Sequence, residues 1–341
     1  MRKHDALISD CDNHEERILK ILVTGGAGFL GAYIFDALTR AGSEVYAYDR
    51  AQVAADLAWV AKGLPDALIH GEIADFASLS SACSSVRPDV IVHAAARVGF
   101  EPSLEDPSGF YQTNVMGFVN VCEVARAFNV RKVVLISSNT ACHAGVGPVQ
   151  KETDPAFSIV RANPSAHYGT SKMISEAIGM SYGQFHGIDF RALRVAAVYG
   201  FGMRTPLYIK PMIENAVDGL KTTFATGGRM KRDLTHVLDV GRAVAAAVHF
   251  DGTQPGQSHV INIAAGNLVL PAEIARIVRD MVPGAEIEIG DTLTPLEEEN
   301  LKSRVPLDIG MAKNLLGWAP QFQIERGIAE YLETYRNYRE S

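Results

Sequence analysis

Tyr168 and Lys172 stand four residues apart in the stretch SAHYGTSK, residues 165–172. On a helix, positions i and i+4 share a face, so a phenol and an ammonium can meet in one pocket. The same spacing also suits a solvated helix surface, and the pair gains a chemical meaning only from its company. One companion is VTGGAGFLG, in which Gly25, Gly28 and Gly31 are spaced G-x-x-G-x-x-G. The apolar run ILKILVTG leads into it, and Leu30, Ile34 and Leu38 follow at helical spacing. Between a strand and a helix, Gly25 can turn tightly and Gly28 lets backbone approach a pyrophosphate at the helix N-terminus. Gly31 lets the helix lie close on the strand. Asp49 ends the next strand-like run, EVYAYD. A carboxylate there can accept both ribose hydroxyls of an adenosine and repels a 2′-phosphate, which favours NAD. Arg50 beside it could instead meet that phosphate, so NADP is the alternative.

Further along, Gly71, Glu72 and Ile73 close a third strand-like segment, where an adenine edge would lie. Ala94, Ala95 and Ala96 close a fourth, and their small side chains let backbone approach a cofactor. His93, just before them, reads as a packing residue rather than a catalyst.

The elements that must hold these residues alternate. Strand-like runs (ILKILVTG, EVYAYD, ALIHGEI, PDVIVHAAA, RKVVLISS, DFRALRVAAVYG) are separated by helical segments. The longest of these are PSGFYQTNVMGFVNVCEVARAFN and HYGTSKMISEAIGMSYGQFHG. This alternation predicts an α/β fold: a Rossmann-type doubly wound parallel sheet with ligands beyond the carboxyl ends of its strands. After about residue 200 the periodicity breaks and prolines become frequent, which predicts a smaller irregular C-terminal lobe. The expected division is a mobile extension over 1–17 and a dinucleotide-binding domain over 18–200 that also receives 232–266. A substrate lobe would be formed by 201–231 and 267–341.

The bulk composition narrows the classes. The chain has 341 residues, 47% hydrophobic and 21% charged, with a formal net charge of −7. That is globular composition with no basic field for nucleic acid or anionic lipid. No apolar run is long enough to span a membrane. Cys11, Cys83, Cys122 and Cys142 are scattered, which fits free thiols in a reducing cytoplasm and no metal site. His4, Asp10, Cys11 and His14 follow no ligand pattern either.

Taken in order, T-G-G-x-G-F-L-G, the acidic strand end, HAAA, TNVMG, LISSNT and Y-x-x-x-K resemble the extended short-chain dehydrogenase/reductase family. This family includes UDP-galactose 4-epimerase and the sugar-nucleotide dehydratases. LRVAAVYG, RDLTHVLDV, INIAAG and LDIGMAKNLLGWAP continue the resemblance to about residue 335. It implies that Tyr168 exchanges a proton with a substrate hydroxyl. A free phenol titrates near 10, and a neighbouring Lys172 charge would lower that value. It also implies that Lys172 binds the nicotinamide ribose and that Ser138 holds the substrate oxygen, with Ser137 as competitor for that role. Asn114 matches a family asparagine near the site. Phe29 and Leu30 complete the glycine motif, and the two long helices imply a homodimer.

Departures from the family pattern bear on the substrate. Asn139 and Thr140 stand where dehydratases carry Asp-Glu, which disfavours dehydration. Ala197 replaces an asparagine that holds a diphosphate in many nucleotide-sugar enzymes. Arg232 matches an arginine that contacts nucleotide phosphates, and Arg304 stands in a blurred version of a second such segment. Asn139, Thr140, Arg232 and Arg304, with Ser138, are therefore the candidate substrate contacts. Arg97, Phe100, Tyr199 and Arg204 are candidate pocket residues, and Cys142 with His143 reads as loop structure. The expected activity is NAD-dependent epimerisation or oxidation at a secondary hydroxyl of a sugar, foremost a nucleotide sugar in the manner of a 4-epimerase. The alternatives are a simple NAD(P)-dependent dehydrogenase of a free sugar or sugar acid and, last, a catalytically silent NAD(P) sensor.

Overall fold

The computed structural model describes residues 18–142, 147–156, 165–205, 207–251, 259–302 and 304–341. The expectations for the 1–17 extension, its four candidate ligands and His143 lie outside these residues. Eleven strands are present among them: β1 Lys20–Thr24, β2 Glu44–Asp49, β3 Leu68–His70, β4 Val90–His93, β5 Lys132–Ser138, β6 Asp189–Val195, β7 Ala197–Tyr199, β8 Thr222–Phe224, β9 Leu234–His236, β10 His259–Ile263 and β11 Ile287–Ile289. Seven form one parallel sheet in the order β10-β6-β5-β4-β1-β2-β3. The strand order reverses between β1 and β4, and the crevice of a doubly wound sheet opens at such a reversal.

Both faces of the sheet are buried, which explains the unbroken apolar strands. Ile21, Val23, Val90, Val92, Val134 and Ile136 pack on one side, with the helices Phe29–Arg40 and Val237–His249. Their neighbours Leu22, Ile91, Val133 and Leu135 point to the other side. There they meet the helices Phe76–Val86, Gly117–Ala127 and Ala166–His186. Successive strand residues alternate between two apolar layers, as a period of two requires. A third cluster gathers Tyr199, Phe201, Ile209, Ile274, Ile328 and Tyr331 from the later chain. No helix of the described residues is long and apolar enough to cross a membrane.

Three expectations about elements change. The third strand ends at His70, so Gly71, Glu72 and Ile73 form the turn after it. DFRALRVAAVYG is two strands rather than one: β6 stays in the sheet, and β7 leaves it to pair with β9. The last sheet contact is the bond from Ala196 N to Ile263 O at 3.1 Å, where β10 itself ends. The long helix through Asn114 is interrupted by a π-turn, Gln112–Met116. Such turns re-aim side chains and are frequent at functional sites.

The helix Ala166–His186 carries the opening Tyr–Lys pair. Its buried face includes the small residues Gly169, Ser171, Ser175, Gly179 and Gly183. A Cβ on Gly179 would collide with the Phe190 ring of β6. The small face lets the helix lie close against β5 and β6, which brings Tyr168 and Lys172 beside the end of β5, where Ser138 sits.

Candidate active site

The glycine stretch joins β1 to the helix Phe29–Arg40. Gly25 has φ +74°, and a Cβ there would collide with the backbone nitrogen of Ala95. No L side chain suits that position, on grounds of both strain and space. A Cβ on Gly31 would strike the carbonyl of Gly25, so this glycine sets helix against strand. Gly28 is open by comparison: a Cβ would meet only Gly25 O, at 3.2 Å. Asp49 reaches back across the loop, its Oδ2 accepting from Ala27 N at 3.1 Å and its Oδ1 from Ala51 N at 2.9 Å. Phe29 and Leu30 point away into apolar packing, Phe29 edge-on to Tyr33 and Leu30 against the sheet.

Beyond the strand ends lies a crevice of about 160 Å³. Gly25 and Gly28 form one side, and Asp49, Arg50, Glu72 and Ile73 another. Ala94, Ala95, Ala96 and Arg97 close it. A cleft floored by glycine and alanine backbone at a helix N-terminus, with carboxylates where the adenosine end falls, fits a dinucleotide. Arg50 pairs with Glu72 at 3.1 Å, so its charge is already balanced, and two carboxylates flank it. That arrangement suits ribose hydroxyls better than a 2′-phosphate. A larger cavity, about 410 Å³, lies at the opposite edge of the sheet between Leu19, Asp89, Asn129, Arg131 and Asp251. It is at the wrong end of the strands for this chemistry and contains none of the residues above.

Asn114 is buried and grips the loop after β4. Its Oδ1 accepts from Arg97 N at 2.8 Å, and its Nδ2 donates to Arg97 O at 3.0 Å and Ser171 Oγ at 3.0 Å. It thus links the loop to the helix of Tyr168 and works as a loop clamp. His93 is fully enclosed, bonds Thr24 Oγ1 at 2.7 Å and packs on Phe118. Burial, then the Lys172 charge, pushes its pKa down to about 3. It is therefore neutral and serves packing, in line with its reading from the sequence.

Ser138 is the hub of the reaction end. Thr140 donates to its Oγ twice, from N at 3.2 Å and from Oγ1 at 2.9 Å, and Ser138 donates to Asn139 Oδ1 at 3.4 Å. Tyr168 hydrogen-bonds the same hydroxyl. Ser137 is committed elsewhere: it donates to Glu176 Oε1 at 2.6 Å, in a buried network where Arg194 holds both oxygens of that carboxylate. Of the two serines, only Ser138 faces the phenol.

Lys172 is buried and its Nζ donates to Ile136 O at 2.8 Å. Burial pulls its pKa down to about 8, and the Glu176 carboxylate opposes the shift. The expected lowering of the phenol by Lys172 is absent. Burial raises the Tyr168 pKa above its usual value, and the Ser138 hydrogen bond offsets part of the rise. Two effects compete at this phenol, and in the protein alone desolvation is the larger.

Arg232 and Arg304 come together from distant segments. Both are partly enclosed, and each has a buried Nε–H with no acceptor among the described residues. Burial and then the charge of Arg232 pull the Arg304 pKa down to about 10, which the Tyr208 oxygen partly counters. The Tyr208 phenol is raised to about 12 by burial, against the pull of both guanidiniums. The two guanidiniums thus lie near each other and near the Tyr208 phenol. Asp233, next to Arg232 in the chain, anchors this region: Oδ1 accepts from Ala265 N at 3.1 Å and Gly266 N at 3.2 Å, and Oδ2 from Leu307 N at 3.3 Å.

The other sequence candidates are engaged in contacts of their own. Arg204 pairs with Asp56 at 2.6 Å, and Tyr199 is buried against His236. Arg97 pairs with Asp106 and covers the Phe110 ring, while Phe100 starts the helix Phe100–Glu105. Cys142 is buried, its thiol near the carbonyls of Asp154 and Pro155. Sequence reasoning missed Tyr208, Asp233, Glu176 and Gln150. Only Glu176, one turn past Lys172, and Asp233, beside Arg232, left a positional signal.

A doubly wound sheet with a dinucleotide crevice and a Ser–Tyr–Lys group at its edge defines a nicotinamide-dependent enzyme of the extended short-chain dehydrogenase/reductase type. Residues 21–264 match the model of the NAD dependent epimerase/dehydratase family, and the chain belongs to that family. It is 26% identical over 324 residues to a putative UDP-glucose 4-epimerase of Methanocaldococcus jannaschii, covering 93% of this chain and 98% of the relative. It is 27% identical over 317 residues to a UDP-glucuronate 4-epimerase of Thermodesulfobacterium geofontis, covering 90% and 93%. The solved UDP-glucose 4-epimerase of Thermus thermophilus, a complex with NAD, superposes with a TM-score of 0.76 at 25% identity, covering 93% and 99%. NAD is the cofactor of this family.

Proposed function

We propose that this protein is an NAD-dependent epimerase that acts on a secondary hydroxyl of a nucleotide sugar, in the manner of a 4-epimerase. The observation that carries the reading is the Arg232–Arg304 pair. Two partly enclosed guanidiniums, each with an Nε–H that has no acceptor among the described residues, suit a diphosphate, which offers paired anionic oxygens. Ala197 removes one phosphate donor of the resembling family, which leaves the two arginines to carry the charge of the site. The relatives named for UDP-sugars support the same class.

In this reading Gly25, Gly28, Asp49, Glu72 and Ala94–Ala96 hold the dinucleotide, and Lys172 holds the ribose next to the reactive ring. The bound NAD supplies a hydride acceptor that can also return the hydride. Ser138 fixes the substrate hydroxyl, with Thr140 aligning Ser138. Tyr168 takes the hydroxyl proton as the carbon is oxidised and gives it back when the carbon is reduced. Burial raises the Tyr168 pKa in the protein alone, so the charge that would lower it is that of an oxidised cofactor. Residues 201–231 and 267–341 form the substrate lobe over a nucleotide-binding domain of 18–200 and 232–266.

We also propose a cytoplasmic homodimer. The thiols of Cys83, Cys122 and Cys142 are unbridged, and Met116, Met180 and Phe185 are exposed on or beside the two long helices. Light scattering on the purified protein reads the mass directly.

The functional test is turnover of UDP-glucose and of UDP-glucuronate, followed by proton NMR and by absorbance at 340 nm. An epimerase interconverts 4-epimers with no net NADH. Steady NADH formation would instead identify a dehydrogenase, and absence of conversion of either sugar would reject the proposed class.

A further inference from the structure

The anion pair and the reaction end come from segments far apart in the chain, yet one residue bonds to both. Gln150 is buried at 4% exposure, and its backbone pairs with the strap that carries Arg304. Its N donates to Pro306 O at 2.9 Å, and its O accepts from Asp308 N at 2.9 Å. The same carbonyl takes a bond from Asn262 Nδ2 at 3.2 Å, and that amide also holds Asp308 O at 3.1 Å. The side chain of Gln150 runs the other way. Its Nε2 donates to Asn139 O at 3.1 Å. Asn139 and Cys142 bracket the short 3-10 turn Asn139–Ala141 that follows Ser138 and carries Thr140, the donor to its hydroxyl.

We propose that Gln150 is a positioning residue that couples the diphosphate clamp to the catalytic turn, so that seating the phosphates on Arg304 fixes the orientation of Ser138. The proposal rests on the reading of Arg232 and Arg304 as a diphosphate site. Physically, the backbone of Gln150 is bonded to the strap, and its amide has one neutral hydrogen bond to a carbonyl of the turn. A shift of the strap is therefore carried to the turn through a single side chain, without a change in the cofactor crevice. Positional errors of about 1 Å in a reacting group can cost on the order of 100-fold in rate.

The test uses the full-length protein with NAD and inorganic pyrophosphate as the probe, read by hydrogen exchange with mass spectrometry. In the unmodified protein, pyrophosphate slows exchange over 304–309 and also over 137–142. In Gln150→Met, of similar length but without a donor, protection over 304–309 persists and protection over 137–142 is lost. Gln150→Glu, of the same shape and unable to donate to the Asn139 carbonyl when ionised, gives the same pattern and serves where the methionine variant is poorly folded. In turnover of the nucleotide sugar, the same variants lose about tenfold in kcat with KM held within about twofold, the split expected of misorientation rather than weaker binding. Protection over 137–142 that survives both substitutions overturns the coupling. Protection over 304–309 without any over 137–142 in the unmodified protein overturns it as well, and leaves the clamp standing. No protection over 304–309 in the unmodified protein overturns the clamp itself and this inference with it.

Discussion

Around the cofactor crevice the chain relies on backbone: two glycines that no other residue can replace, three alanines, and strand ends fixed by local sequence order. Around Arg232 and Arg304 it relies on side chains, those two with Tyr208, and on the buried carboxylate of Asp233, which accepts from the backbone of Ala265, Gly266 and Leu307. A backbone-built site tolerates little variation, because each contact is a steric fit. A side-chain-built site can be altered one charge at a time. That difference accounts for a family with one cofactor and several sugars, and it sets different expectations for substitutions in the two regions.

The largest effect should come at the proposed reaction end. Tyr168→Phe removes the proposed proton carrier and should reduce kcat about 10²- to 10⁴-fold while leaving NAD affinity unchanged, as measured by calorimetry. Equal loss of NAD binding would place the phenol in the cofactor site instead. In the crevice, Gly25→Ala forces a side chain into φ +74° and against Ala95. It should lower stability by about 1–3 kcal/mol in denaturant unfolding and abolish NAD binding. Normal NAD affinity in that variant would contradict a backbone-built crevice. At the clamp, Arg304→Ala should raise KM for the nucleotide sugar about 10- to 100-fold with kcat little changed, since charge-assisted bonds contribute about 1.5–3 kcal/mol.

The smallest effect is one of pH. Burial raises the Asp233 carboxyl from 3.8 to about 6, against three backbone donors that lower it. Because the folded pKa lies above the unfolded one, this group favours the protonated fold, and its contribution to stability declines between about pH 4 and 6. The ionised form is nonetheless the one that anchors Leu307 and the strap. KM for the nucleotide sugar should therefore rise a few-fold as pH falls below about 6, and Asp233→Asn should flatten that dependence. A KM profile identical in both proteins would remove Asp233 from the clamp.

The same contrast explains what the sequence discloses. The parallel sheet, the glycine turn and Asp49 follow from residues adjacent in the chain, whose periodicity and spacing are visible directly. The preference for Ser138 over Ser137 comes from its place in the resembling motif, but its physical reason does not: Glu176 and Arg194 draw Ser137 into a buried network. The direction of the Tyr168 shift reverses between sequence and structure, because a charge four residues away is easy to read from sequence and desolvation is not. Tyr208 and Gln150 are hidden for a related reason: each acts through partners far away in the chain, and nothing in its own neighbourhood marks it, whereas Asp233 is marked by its place beside Arg232.

The most direct test of the account is a crystal structure of the protein with NAD and a UDP-sugar bound together. The account requires the nicotinamide beside Ser138 and Tyr168, with a secondary sugar hydroxyl within hydrogen-bond reach of both, and the diphosphate between Arg232 and Arg304. Phosphates bound away from both arginines, or a sugar hydroxyl out of reach of Tyr168, would contradict it.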